Sequence, residues 1–299
     1  MIKYNIIIPL AFKDYHFFYK TSKYLCENLN AECIFIITNG SMARFLPSFV
    51  RNNDKFRIID ENLLVEGLNY MRIDRILKSQ GREHTNTGWF FQQFLKMGFA
   101  MSEYCNTDYY LSWDADTIPL KKIEFFDATG KPYFTMKTEY HEPYFEAIKV
   151  LLGFGKNNMR SYIAEHMMFN KSIMCELINV ISHSDSIGSS WYEKILNSIV
   201  PETISTNSFS EFETYGTFCT KKFPNYYLER TLSCFRRGGL IQGRFVSDHI
   251  LFVLSKEYDV VSFEIYDRPP FPWGIISNYY EKFIHYKELF LRKMIVNEK

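Results

Sequence analysis

The stretch Tyr109-Tyr110-Leu111-Ser112-Trp113-Asp114-Ala115-Asp116 decides how this chain is read. Its apolar and aromatic residues, broken only by Ser112, have the pattern of a short buried strand. Two carboxylates follow, one residue apart, where that strand would end. Open α/β sheets hold their ligands in the crevice outside the carboxyl ends of the strands. If the turn curls Asp114 and Asp116 together, both reach one divalent cation, directly or through water. Magnesium or manganese held this way keeps positions open for the oxygens of a diphosphate. The alternative is a pair of turn carboxylates, one of them capping the next segment.

Working outward from this stretch, strand and helix signals alternate through the first half. Asn5 to Leu10, Cys33 to Thr38 and Phe56 to Ile59 are β-like, and Asn39-Gly40 is a turn dipeptide. Tyr15 to Leu29, Leu68 to Leu77 and Thr87 to Tyr104 have helical spacing. This order predicts an α/β fold, with a mostly parallel, Rossmann-like sheet flanked by helices on both faces. The second half is less regular. A hairpin is expected over Phe125 to Met136, and helices over Glu142 to Leu152, Lys171 to Ile181, Ser190 to Ile199 and Ser208 to Phe218. Gly153 to Asn158 is a connector without phosphate-loop spacing. His249 to Leu254 and Val260 to Ile265 form a last helix–strand pair, and Asn278 to Val296 is amphipathic. The organisation expected is one catalytic domain over residues 1–299. Residues 1–120 form a nucleotide-binding half and 121–275 an acceptor-side half, and 276–299 form a C-terminal amphipathic helix.

Composition narrows the class. The 299 residues are 46% hydrophobic, ample for a core, and the formal net charge of +1 gives no global reason to bind nucleic acid. The six cysteines form no Cys-x-x-Cys and no zinc-finger spacing, so reduced thiols and a cytoplasmic setting are expected. Met1 to Leu10 lacks a small-residue cleavage site and meets Lys13-Asp14 early, so it reads as a first strand and not as a secretion signal. No apolar run has the length of a membrane span, and any contact with an inner membrane is expected to be peripheral.

Further constellations supply candidate site residues. Trp89, Gln93 and Lys96 are neighbours at helical spacing and suit a base edge or a diphosphate. Otherwise Trp89 is core and the polar groups cap element ends. Asp14, just past the first strand, is a candidate for a ribose or base, or the N-cap of the helix at Tyr15. His141 with Tyr144, and His166 in Glu165-His166-Met167, are acceptor-pocket candidates, each with an ordinary structural alternative. Glu211 and Glu213 are candidates for a catalytic base that takes the proton of an acceptor hydroxyl. On a helix they point to different sides, so one of them acts. They are also what a capped helix start carries, with Ser210 as the cap. His249, after Ser247-Asp248, is a candidate third metal ligand, with capping by Asp248 as the alternative.

Gly88-Trp89…Gln92-Gln93, Asp114-Ala115-Asp116-Thr117, His141…Pro143-Tyr144-Phe145, Glu165-His166-Met167 and Ser210 to Gly216, in this order, resemble bacterial glycosyltransferases of the GT-A fold. The chain is most similar to a glycosyltransferase-like family catalogued as a domain of unknown function. The resemblance implies a nucleotide-sugar donor and a divalent metal, Mn²⁺ or Mg²⁺, at Asp114 and Asp116. It also implies a glycan or glycolipid acceptor, in capsule or lipopolysaccharide synthesis. Three competing classes are a haloacid-dehalogenase-type phosphatase, a sugar-nucleotide-synthesising nucleotidyltransferase, whose Gly-rich, Arg-containing first loop is absent after Leu10, and a non-catalytic carbohydrate-binding or scaffold protein. The phosphatase wants Asp-x-Asp on its first strand with a further residue before Thr, whereas Thr117 follows Asp116 directly.

Overall fold

The computed structural model describes residues 2–81, 86–156, 160–199 and 208–297. Asn157 and Asn158, in the expected connector, lie outside them. Strand β1 (Tyr4–Pro9) is buried almost throughout, as a central strand covered on both faces must be. Around it lie β2 (Ile34–Thr38), β3 (Phe56–Asp60) and β4 (Tyr109–Trp113), all parallel, in the order β3-β2-β1-β4. The period of two along the strands divides two cores. Ile7, Phe35 and Tyr110 face one layer, while Ile6, Ile8, Leu111 and Trp113 face the other.

The first layer is packed by α3 (Tyr70–Ser79), α4 (Thr87–Gly98), α5 (Glu142–Leu152), α6 (Lys171–Ser182), α7 (Trp191–Ser198) and α8 (Glu211–Lys222). On the opposite face lie α1 (Tyr15–Asn28), the single turn α2 (Ser48–Arg51) and the long α11 (Trp273–Asn297). The α/β class with a mostly parallel sheet is therefore the one observed. One strand departs from it: β7 (His166–Asn170) forms the edge next to β4 and runs antiparallel, with His166 opposite Trp113.

Other boundaries differ for identifiable reasons. The helix expected to reach Tyr104 ends at Gly98 and passes into a 3₁₀ turn over Phe99–Met101. A Cβ on Gly98 would lie 2.4 Å from Val65 Cγ2, so the chain approaches closely there. The hairpin expected over Phe125 to Met136 reduces to one antiparallel bridge, Phe126 to Pro132, around a turn held by Asp127. Its second arm, β6 (Tyr133–Thr135), pairs in parallel with the distant β8 (Leu228–Arg230). The Phe134 and Tyr227 rings, stacked at 3.7 Å, supply that preference.

A second small sheet extends the site. Beyond the Asp114–Asp116 turn, β5 (Thr117–Pro119) pairs antiparallel with β10 (Val260–Ser262), which pairs with β9 (Cys234–Phe235). The short α9 (Gly239–Gln242) and α10 (Asp248–Leu254) lie between β9 and β10 in the chain. All six cysteines are free thiols. Among the described residues, no helix is long and apolar enough to cross a membrane.

Candidate active site

The Asp114–Asp116 turn is fastened on three sides. The Asp114 N–H donates to the Glu165 carbonyl at 3.0 Å, beside the edge strand. The Phe263 N–H donates to the Asp116 carbonyl at 2.9 Å, just past β10. Trp113 Nε1 donates to the Thr117 carbonyl at 2.8 Å and closes the turn from beneath. The two carboxylates are thus held at the carboxyl end of β4, on the floor of a cleft of about 620 Å³. That volume is ordinary for a small-molecule site.

Asp14, Trp89, Gln93, Lys96, Tyr144 and Glu211 line the same cleft. Helix α4 delivers Trp89, Gln93 and Lys96 on one face, as their spacing predicts. Trp89 stacks parallel to Tyr144, with ring centres 6.4 Å apart. Gln93 ties two helices together: its Oε1 accepts the Glu211 N–H at 3.0 Å, and its Nε2 donates to the Trp89 carbonyl. Lys96 is buried and bridges Asp114 Oδ1 at 2.8 Å and Glu211 Oε1 at 2.9 Å. Those two carboxylates, joined through one ammonium, hold its pKa above the ordinary lysine value against the opposing effect of burial. Burial raises the Glu211 carboxyl, with Lys96 pulling it down and Asp114 pushing it up.

Four other candidates do not line the cleft. Glu213 is fully buried in a separate network, receiving Lys156 Nζ at 2.9 Å, Ser161 Oγ at 2.7 Å and the Tyr162 N–H at 2.7 Å. It fixes α8 to the preceding segment, and Gly216 lets Tyr162 come within 2.5 Å of where a Cβ would stand. His166 is core: it stacks on Trp113 at 4.8 Å, shares a hydrogen bond with Thr135, and burial keeps it neutral, well below the ordinary value. His141 lies just before α5, its ring edge-on to Tyr144 at 4.5 Å. His249 is exposed on α10 and does not line the cleft that holds Asp114 and Asp116. The cap there is Ser247, which accepts from the Ile250 N–H, while Asp248 pairs with Lys20.

Asp14 holds the N-cap position of α1 without making a cap bond. Its carboxylate turns to the cleft and takes Arg244 Nη1 at 2.5 Å. Residues not singled out from sequence complete the wall. Glu264, two positions past β10, faces Asp114. Arg236 follows β9 and pairs with Glu139 and with the buried Glu165. Arg236 stands next to Arg237 in the chain, a basic pair whose local pattern carries no sign of the cleft. Glu264 repeats the signal of Asp114, an acid just past a strand end.

Charge decides what this wall can accept. Among the described residues, eight carboxylates line the cleft against five cationic side chains. Four of the five are already engaged: Lys96 as above, Arg236 with Glu165, Arg244 with Asp14, and Arg292 with Glu288. Burial, with Asp114, Glu264 and Asp14 nearby, pushes the Asp116 carboxyl well above the ordinary range, opposed by Arg244. Among the described residues no three His, Cys, Asp or Glu side chains converge as ligands for one ion. Magnesium does not require three, since it is commonly held by one or two carboxylates with water and substrate oxygens. A pair of hard oxygen ligands in an acid-rich cleft fits such an ion.

At the far end of the cleft, burial pushes Glu61 up to about 7, with a hydrogen bond from Asn39 opposing. A carboxyl raised in the folded state keeps its proton there longer than in the unfolded chain. Its contribution to stability is therefore complete below its ordinary value of 4.5 and is lost as pH rises through about 7. Glu61→Gln should flatten this part of the profile of melting temperature against pH. An unchanged profile would show that Glu61 titrates normally.

Residues 7–234 match a family described as a family of unknown function, DUF6492. The chain belongs to this family. No individually curated protein matches the sequence. Among solved structures, the DUF6492 chain is similar to mouse xyloside xylosyltransferase 1, at 10% identity and a TM-score of 0.43, over 87% of this chain and 97% of the other. It is similar to the bifunctional glycosyltransferase WbbM, at 11% identity and 0.43, over 93% of this chain. There it spans about half of the longer protein, 52%. It is also similar to the galactosyltransferase LgtC, described in complex with donor and acceptor sugar analogues, at 9% identity and 0.40, over 94% and 95%.

Proposed function

We propose that this DUF6492 protein is a metal-dependent glycosyltransferase. It moves a sugar from a nucleotide-sugar to a glycan or glycolipid acceptor in the synthesis of bacterial capsule or lipopolysaccharide, at the inner face of the membrane. The observation that carries this reading is the fastened Asp114–Asp116 turn on the floor of a cleft with more acid than base. An anionic diphosphate is repelled by such a wall unless a divalent cation accompanies it. Asp116, whose carboxylate is free of Lys96, is the direct ligand for Mn²⁺ or Mg²⁺, and Asp114 assists or holds ribose. The bound ion supplies charge neutralisation for the departing nucleotide.

The protein's own residues do the rest. Trp89 and Tyr144 offer ring faces for a base or a sugar, and Asp14 with Arg244 offers a charged pair beside the donor half. If transfer inverts configuration, Glu211 is the base: it lines the cleft, and burial shifts its carboxyl upward, toward a stronger proton acceptor. Glu213 is spent on holding α8. In a nucleotide-release assay with a panel of nucleotide-sugars and glycan acceptors, Glu211→Gln should lower acceptor-dependent turnover about 10²–10⁴-fold, with donor binding retained. Full turnover by Glu211→Gln would remove it from the reaction. No nucleotide release from any donor by the wild type, with Mn²⁺ supplied, would count against a transferase.

A further inference from the structure

Helix α11 carries an apolar stripe that the fold leaves uncovered. Ile284, Leu291 and Ile295 pack against the sheet's second core. On the opposite side Ile276, Tyr279, Phe283, Tyr286, Phe290 and Met294 recur every three or four residues and are all exposed. The four aromatic residues among them are each 60–70% exposed. At 3.6 residues per turn these six fall on one line along the helix. Monomeric proteins seldom leave a contiguous apolar stripe of this length bare.

The charges beside the stripe say what covers it. On the helical wheel Lys287 borders one edge, and Lys282 and Lys293 border the other; all three are exposed. Of the two glutamates of α11, Glu281 pairs with Arg268 outside the helix, and Glu288 lines the cleft and pairs with Arg292 one turn on. No carboxylate of this helix borders the stripe. Two copies packed stripe to stripe would set lysine rows against each other with no acid to pair them. A lipid surface with anionic headgroups meets both features: aromatic rings enter the interface, and lysines reach the phosphates alongside.

We propose that α11 is an interfacial helix that docks this protein on anionic membranes. The proposal stands on α11 alone and does not require the transferase reading. It would place the cleft, whose lining includes Glu288 and Arg292 of the same helix, next to the bilayer.

The test is co-sedimentation of the full chain with phosphatidylcholine vesicles, with and without phosphatidylglycerol, paired with sedimentation velocity in the absence of lipid. Wild type should pellet with the anionic vesicles only. Phe283→Ser with Phe290→Ser, and separately Lys282→Gln with Lys287→Gln and Lys293→Gln, should each weaken that binding about tenfold or more. Both sets are exposed, so melting temperatures should stay near wild type, which separates lost docking from lost folding. Absence of vesicle binding by wild type would overturn the proposal. So would a dimer in solution that Phe283→Ser with Phe290→Ser dissolves, because the stripe would then belong to a second copy.

Discussion

Asp116→Asn is expected to lower turnover about 10²–10³-fold, the size of effect seen when one preorganised electrostatic group is removed, and at the same time to raise the melting temperature of the metal-free protein. The two effects share one cause. Burial and three neighbouring carboxylates push the Asp116 carboxyl upward, so its charged form is a burden on the folded state without a cation. A group raised in this way costs more stability as pH rises through its folded value, and the neutral amide removes that cost. The gain should be on the order of 2 °C at neutral pH in a chain of this size and should shrink as the pH falls. Calorimetry in EDTA across pH, beside nucleotide-release assays, checks both halves. A variant that is inactive and also less stable would mean that Asp116 holds the fold together and does not await an ion. The trade between stability and activity is common where a site keeps like charges together.

Lys96→Met should do the opposite and cost about 3–5 kcal/mol, as expected when one partner of a buried ion pair is removed. Methionine fills the space of the lysine stem, so packing against Phe212, over whose ring the ammonium sits at 4.6 Å, is largely kept. What is lost is the cation between Asp114 and Glu211. Glu211 is buried and already raised despite Lys96; without the ammonium it rises further. Its proton then binds the folded state at a pH where the unfolded chain has released it. The deficit of Lys96→Met should therefore be smallest in acid and grow as pH rises. Adding Glu211→Gln to Lys96→Met should restore part of the loss, a coupling that a double-mutant cycle measures. Additive losses with no dependence on pH would mean that Lys96 matters only as packing.

The part of the cleft built by Asp114, Asp116 and helix α4 was legible because its signals are local. A buried strand followed by two acids needs only a few consecutive residues, and the face formed by Trp89, Gln93 and Lys96 follows from helical period. The cap at Ser210 and the opposite directions of Glu211 and Glu213 were legible for the same reason. What Lys96 does was not, because its partners come from β4 and from the start of α8, far apart in the chain. Arg236 and Glu264 enter the cleft beside the small sheet of β5, β9 and β10, and Arg244 from the turn at Gly243–Phe245 between β9 and β10, placements that no local pattern reports. The placement of two histidines was hidden for a related reason. His166 sits on an antiparallel edge strand inside an apolar run, and His249 on a short surface helix, positions set by topology that residue type does not report. Asp14 also shows this, since its position is that of a cap while its carboxylate is drawn away by a distant arginine.

The most direct test of a metal-dependent donor site is thermal stabilisation by UDP-, GDP-, CMP- and TDP-sugars, with and without Mn²⁺, on wild type and Asp116→Ala. A ligand that binds only the folded state raises its melting temperature, by an amount that grows with concentration over Kd. The expected result is a shift for one nucleotide class that needs Mn²⁺ and disappears in Asp116→Ala. A folded wild type that shifts with none of the four classes, or shifts equally without metal and without Asp116, would contradict the site described here.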